Sequence, residues 1–364
     1  MQPTQIIDLF GGPGGLDVAA EHLGIRAVGI EWDRDTCATR RSAGLETVEG
    51  DVRSFGPSDF PDSDVLAAGP PCQTFTVQGA GAGRKALNDV LDFAERLAGR
   101  DDRDEIETDI RKLVDERTML VLEPLRWALD AIDKVDRPYQ AIVLEQVPAV
   151  LPVWEAYRTV LLGEGYQVAC GILRAEEFGV PQTRSRAVLV ARYGQSPVNL
   201  PPPTHRPYKN GVPRNAGDPA LQPWKTMGEV LDRPSPFEVI SNYGTGGDPR
   251  KRGRRSSEEP SATVTGKIAR NMIYGPGGYP LDRFTLSEAG ILQTFPANYP
   301  WSARGLGQQA GNAIPPRLAM HVLSAAFGWA PPSESELESL HEWRPSERTS
   351  SKAHDGVPAM EDGT

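Results

Sequence analysis

At 364 residues, with 24% charged and 39% hydrophobic side chains and a formal net charge of -10, the chain has room for one enzyme-sized domain with an appended module. No apolar run approaches the roughly 18 residues of a membrane span, and no signal-peptide pattern opens the chain, so we expect a cytoplasmic protein with no membrane partner. Cys37, Cys72 and Cys170 stand far apart without histidines at ligand spacing, which argues against a disulfide framework or a metal site.

Residues 1–193 alternate short apolar runs with amphipathic stretches, the rhythm of a mostly parallel sheet covered by helices. The pattern predicts strands over 5–10, 27–32, 65–68, 141–145, 167–173 and 187–191, with helices over 16–23 and 119–132. The highly charged segment 84–117 reads as one or two solvated helices. From 194 to 280 the chain turns Pro-, Gly- and Arg-rich, with a strand-like piece at 237–240. Its stretch 196–275 carries 12 Lys and Arg against 7 Asp and Glu in a chain that is acidic elsewhere. Regular pattern resumes at 281, with helices over 286–293 and 316–327. We therefore expect a catalytic α/β domain from 1–193 plus 281–330, a small basic domain at 194–280, and a disordered Ser-, Glu- and Pro-rich tail at 331–364.

The first strand runs into Phe10-Gly11-Gly12-Pro13-Gly14-Gly15-Leu16, a loop whose glycines let the backbone turn tightly beside a ligand at a helix N-terminus. A bare tight turn is the bland reading. Glu31, about 20 residues on at the second strand's end, suits two ribose hydroxyls. Trp32 suits an adenine face, and Asp51, after a third strand, suits an adenine amino group. Singly, these are a surface charge and a core aromatic; together they describe an adenosine pocket. Dinucleotide binding competes, but the loop lacks G-x-G-x-x-G spacing. Further on, Gly69-Pro70-Pro71-Cys72-Gln73 sets a cysteine in a stiff loop past a buried strand, at the sheet edge where ligands bind. A lone cysteine is more often a core residue than a nucleophile. This setting favours the nucleophile.

In this order the stretches Asp8-Leu9-Phe10 to Gly15, Gly50-Asp51, Gly69 to Gln73, Glu145-Gln146-Val147, Gln182-Thr183-Arg184-Ser185-Arg186, Arg283 to Pro296 and Gly311-Asn312-Ala313-Ile314-Pro315-Pro316 resemble the DNA (cytosine-5)-methyltransferase family. The resemblance spans nearly the whole chain, from Gln5 to about Phe327. It implies an S-adenosylmethionine-dependent, Rossmann-like α/β fold. Phe10, Gly12, Gly14, Gly15, Leu16, Glu31, Trp32, Asp51, Pro70 and Asn312 would hold S-adenosyl-L-methionine. Cys72 would add to cytosine carbon 6, Glu145 would hold the ring nitrogen and amino group, and Arg184 and Arg186 would point the same way toward the base or its phosphates. The target base would be flipped out of double-stranded DNA.

The basic domain occupies the family's target recognition position. Gln73, Arg252, Arg254 and Arg255 would contact DNA, and Asn242, Tyr243 and Thr245 would reach base edges. The chain departs from the family at Gln146 in place of Asn, at Ser287 and Ile291 in place of arginines, and in the length of the segment after Cys72. A transfer-RNA methyltransferase shares the motifs, and a catalytically silent DNA-binding regulator shares the fold. Intact Cys72, Glu145, Arg184 and Arg186 favour the enzyme. We expect a monomer, nucleoid-associated through its DNA, with a cognate restriction endonuclease as a separate partner.

Overall fold

The protein is described by a computed structural model that covers residues 2–71, 80–112, 116–242, 252–302 and 306–345. Seven strands, β1 (Gln5–Leu9), β2 (Arg26–Glu31), β3 (Glu46–Glu49), β4 (Val65–Ala68), β5 (Ala141–Gln146), β6 (Tyr166–Arg174) and β7 (Ser185–Tyr193), form one sheet in the order β3-β2-β1-β4-β5-β7-β6. β1 to β5 run parallel, while β7 is antiparallel to both of its neighbours. β1 is buried along its whole length because both sheet faces are covered, which is why it reads as an unbroken apolar run apart from Gln5 and Asp8.

One face packs Ile6, Ala67 and Val143 against the helices Gly15–His22 and Pro316–Phe327. The other packs Ile7, Leu66 and Leu144 against Ala80–Ala98, Glu123–Asp133 and Leu151–Gly163. The single helix expected over 119–132 is instead a 3-10 turn, Glu116–Leu122, followed by Glu123–Asp133. Pro124 accounts for the break, since it suits a first helical turn and lacks the N–H an interior position needs. The charged insert forms Ala80–Ala98 and Arg103–Ile110, as its apolar spacing implies. Those helices are more than solvated, because Val90, Phe93, Ala94, Leu97 and Ile106 are buried in the main core.

A second sheet of short antiparallel strands, β8 (Glu238–Ile240), β9 (Arg254–Ser256), β10 (Met272–Tyr274) and β11 (Pro280–Leu281), lies in the basic segment in the order β11-β10-β8-β9. Its core does not stop at 280. Phe284, Ala289, Leu292 and Ala310 pack with Met227, Phe237, Val239 and Ile273, so the helices Leu286–Leu292 and Leu306–Asn312 serve the small lobe as well.

The tail expected to be disordered is ordered through its first part. Ser333 and Glu336 form a capping box on the helix Glu334–Glu338. Leu337, Leu340 and Trp343 are buried in the main core, and the Trp343 indole N–H donates to the Ala43 carbonyl at 2.9 Å. Burial of three large apolar side chains outweighs the polar composition around them. Residues 346–364 lie outside the described residues. Among the described residues no helix is long and apolar enough to cross a membrane.

Candidate active site

The carboxyl ends of β1, β4 and β5 are in register, with Leu9 opposite Ala68 and Ala68 opposite Leu144. The strand order reverses at β1, so the loops leaving these strands open onto the crevice where open α/β sheets bind ligands. Phe10-Gly15, Gly69-Pro71 and Glu145 therefore share one edge. The Gly69 N–H donates to the Leu9 carbonyl at 3.3 Å, tying two of the loops together.

Two glycines are required by close approach. A Cβ on Gly14, whose φ is 98°, would lie 2.2 Å from Leu45 Cδ1, and one on Gly15 would lie 2.2 Å from the Ile314 carbonyl oxygen. The second contact is with the C-terminal motif, and Tyr299 donates its hydroxyl proton to the Pro13 carbonyl from the same side. The chain thus closes on its own glycine loop. Phe10, Gly11, Gly12, Gly15, Leu16, Gly69, Glu145 and Asn312–Ile314 surround a hollow of about 50 Å3, with Asp8 on its floor.

The loop is braced by a buried ion pair that the sequence pattern does not reveal. Arg40 and Asp17 are 0% and 1% exposed and meet at 2.6 and 2.9 Å, and Arg40 also donates to the carbonyls of Gly11, Gly12 and Glu46. Gly29 makes room for the guanidinium, since a Cβ there would lie 1.9 Å from it. Burial, reinforced by the carboxylate of Asp17, holds the Asp8 carboxyl well above the usual range.

Glu31 ends β2 with its carboxylate gathered by backbone N–H groups: Gly12 at 3.0 Å, Trp32 at 2.9 Å and Asp33 at 2.8 Å. Burial raises its pKa and those bonds oppose the rise. Trp32 stands 71% exposed, leaving a face of its ring uncovered. The Gly50 N–H donates to the Glu31 carbonyl at 3.0 Å, which sets the next residue, Asp51, on the same shelf. Asp51 is turned to Arg53, 2.6 Å away, and this hydrogen bond holds its pKa below the ordinary carboxylate value.

At the other end of the hollow, Glu145 Oε1 meets Arg186 Nε at 2.7 Å, with both side chains mostly buried. Gln146 donates its amide to the Pro70 carbonyl and accepts from the Val147 N–H, so the longer side chain still tethers the proline loop to β5. Arg184 does not point with Arg186. It is 1% exposed and donates to the carbonyls of Val264 (3.3 Å), Gly311 (3.1 Å) and Ala313 (3.0 Å). Pro181 and Thr183, ahead of β7, bond to Ser261, and the Arg184 N–H donates to the Glu176 carboxylate at 3.2 Å, so the two-residue alternation that would align the arginines does not reach Arg184. Burial, helped by the nearby Arg186 charge, drives the Arg184 pKa well down. Gln182 joins the same brace, donating to the Leu292 carbonyl at 3.0 Å and accepting from the Val264 N–H at 2.8 Å.

Cys72 and Gln73 lie outside the described residues, on the chain leaving Pro71. The two described cysteines are poor thiolates. Burial pushes the Cys37 thiol up to about 11, with Glu31 adding to the rise, and burial also raises Cys170. Among the described residues no cluster of His, Cys, Asp and Glu suits a metal.

In the small lobe the arginine run divides. Arg254 points outward with a Glu238 partner at 2.6 Å, whereas Arg255 stacks on the Tyr208 ring, 4.5 Å from its centroid, and is partly buried. Alternation along β9 explains the split, and it turns Arg255 away from the exposed face that Arg254 occupies. Asn242 has its N–H on the Asn271 side chain at 3.0 Å. Tyr243, Thr245, Arg250 and Lys251 lie outside the described residues.

The sheet order and the loops at its switch point define an S-adenosylmethionine-dependent methyltransferase fold. The fold is shared with Dnmt2 methyltransferase from S. pombe, at 18% identity and a TM-score of 0.58 over 89% of this chain and 98% of that one. It is also shared with the Entamoeba histolytica methyltransferase EhMeth, at 15% identity and a TM-score of 0.57 over 90% and 99% of the two chains. The sequence is 26% identical to the Type II methyltransferase M1.HphI of Haemophilus parahaemolyticus over 88% of this chain and 86% of that protein. It is 32% identical to the Type II methyltransferase M.NlaX of Neisseria lactamica over 51% of each. The profile of the C-5 cytosine-specific DNA methylases matches residues 4–94 and 140–234. The chain belongs to that family and is a DNA (cytosine-5)-methyltransferase that uses S-adenosylmethionine.

The site fits that cofactor. The hollow beside Gly12 and Asn312 has room for the sulfonium end, and the shelf of Glu31, Trp32 and Asp51 offers what a nucleoside needs: acceptors for hydroxyl and amino groups and an uncovered aromatic face.

Proposed function

We propose that the protein methylates carbon 5 of a flipped-out cytosine in double-stranded DNA, with Cys72 as the nucleophile. One observation carries the reading: Glu145, held by Arg186, stands at the same sheet edge as the glycine loop and the Pro70–Pro71 segment that leads directly to Cys72.

Phe10, Gly12, Gly14, Gly15, Leu16, Pro70 and Asn312 would line the methionine half of the cofactor, with Glu31, Trp32 and Asp51 around its adenosine. The cofactor supplies a methyl carbon made electrophilic by its sulfonium. The Cys72 thiolate forms a bond to carbon 6, and the electron pair displaced from the ring is stabilised where Glu145 holds the ring nitrogen and amino group. Arg186 pairs with the Glu145 carboxylate and would reach the base oxygen. After methylation the carbon 5 proton leaves, the sulfur–carbon bond breaks, and the thiol is restored. Cytosine carbon 6 is inaccessible inside a duplex, so the base is taken out of the stack.

Arg184 is assigned no contact with substrate. It joins the small lobe, through Val264, to the wall that carries Asn312. Arg252 and Arg254, with Gln73, would meet DNA. The Type II methyltransferase name of the relative M1.HphI supports a methyltransferase acting beside a separate restriction endonuclease.

Incubating the protein with methyl-tritiated cofactor and either duplex DNA or RNA, then digesting to nucleosides, tests the reading. Label should appear in 5-methyldeoxycytidine. Label confined to an RNA nucleoside, or to an exocyclic amino group, would overturn it.

A further inference from the structure

A second cavity, of about 410 Å3, opens beside Asp51 and Ser54 and runs beneath the inserted helix Arg103–Ile110. It is distinct from the hollow at the glycine loop. Its walls are apolar where the insert meets the main domain, at Leu97, Ile106, Ile110, Met119 and Leu122. Each cation of the lining has a carboxylate partner: Arg53 has Asp51 at 2.6 Å, Arg126 has Glu123 at 2.8 Å, Arg111 has Glu107 at 3.3 Å, and Arg103 and Lys134 share Asp130 at 2.7 and 3.2 Å. A paired rim over an apolar floor has little to offer an anion and suits a neutral, apolar group.

Asp51 links this cavity to the proposed adenosine shelf. It stands one residue past Gly50, which is bonded to Glu31, and it also lines this cavity. If the adenine amino group is held by Asp51, a substituent on that nitrogen stands beside the cavity that Asp51 lines.

We infer that the insert builds a subsite continuous with the adenosine end of the cofactor pocket, and that it takes an apolar aromatic substituent on the exocyclic nitrogen of adenine. The inference rests on the proposed cofactor role of Asp51. A singly substituted nitrogen keeps one N–H, so the bond to Asp51 survives while the substituent enters the cavity. Space is ample, since an apolar cavity of about 150 Å3 already admits benzene.

The probes are S-adenosylhomocysteine and its N6-benzyl derivative, titrated calorimetrically against the full chain. The benzyl derivative should bind within about tenfold of the parent. Ile110→Trp, which narrows the cavity from its rim without touching Asp51, should weaken the benzyl derivative by about tenfold or more and leave the parent unchanged. A parent that binds while wild-type protein rejects the benzyl derivative by about a hundredfold or more overturns the subsite alone. That comparison needs no variant. Parent binding that survives Asp51→Ala unweakened overturns the cofactor role of Asp51 and the subsite with it.

Discussion

Arg184→Lys separates a structural clamp from a residue that acts on substrate. Arg184 satisfies the carbonyls of Val264, Gly311 and Ala313 with a single buried fork. A lysine amine is a single point on a flexible stem, so about two of those carbonyls lose their donor. At about 1–3 kcal/mol for each buried group left unsatisfied, the loss is roughly 2–6 kcal/mol, which at about 2–4 °C per kcal/mol lowers the melting temperature by on the order of 10 °C. Gly311 and Ala313 flank Asn312 on the cofactor wall, so affinity for S-adenosylhomocysteine should fall by about tenfold as well. Thermal denaturation and calorimetric titration read both effects. Arg186→Lys, in contrast, should melt near the wild type and lose turnover, because its partner is Glu145 at the reacting edge. An Arg184→Lys protein with wild-type melting and cofactor affinity but lost turnover would refute the clamp.

Asp17→Asn should destabilise the protein by about 3–5 kcal/mol, because it leaves the Arg40 guanidinium buried without its countercharge; the urea midpoint measures this, and an unchanged midpoint would contradict the brace. Acid should loosen the packing around helix Pro316–Phe327. Burial lowers His205 and His321 from 6.5 to about 4, so the folded state holds both neutral: their contribution is whole above about 6.5 and is lost as pH falls toward about 4, with each ring giving up roughly 1.4 kcal/mol per pH unit across that interval. Melting temperature against pH should therefore decline faster across that window in the wild type than in His321→Leu. In the small lobe, Arg252→Ala and Arg254→Ala should each flatten the salt dependence of DNA binding by about 0.9 for every phosphate that is no longer neutralised, whereas Arg255→Ala should lower stability and leave the slope alone. Equal slopes for all these variants would mean that β9 does not face DNA.

The parts legible in the sequence are those where one residue type answers one local demand. The glycine loop, the carboxylate that ends β2, the proline loop after β4 and Glu145 at the end of β5 are each announced by a short apolar run followed by an abrupt change of chemistry. What was hidden depends on long-range packing. Arg40 sits in an Arg-Arg pair on a helix that reads as surface, and nothing local says that Gly29 has cleared space for one of the two. Arg184 and Arg186 look equivalent at a spacing of two, yet the bridge from Gln182 to Ser261 rotates the first of them into the core. The boundary of the small lobe was blurred because Leu286–Leu292 has an ordinary helical pattern that does not say which sheet it covers. The ordered part of the tail did leave a signal: Leu337, Leu340 and Trp343 recur at intervals of three behind a Ser-Glu capping box.

The most direct test of the central claim uses duplexes carrying 5-fluorocytosine. Methyl transfer to such a base leaves no proton on carbon 5 to depart, so the final elimination stops and the sulfur–carbon bond persists. A pool of random duplexes with the full chain and S-adenosylmethionine should give a denaturation-resistant protein–DNA complex that requires the cofactor, disappears in Cys72→Ala, and maps by mass spectrometry to the peptide bearing Cys72. Attachment through Cys37 or Cys170, or no attachment under conditions where the same protein methylates unmodified DNA, would contradict the account.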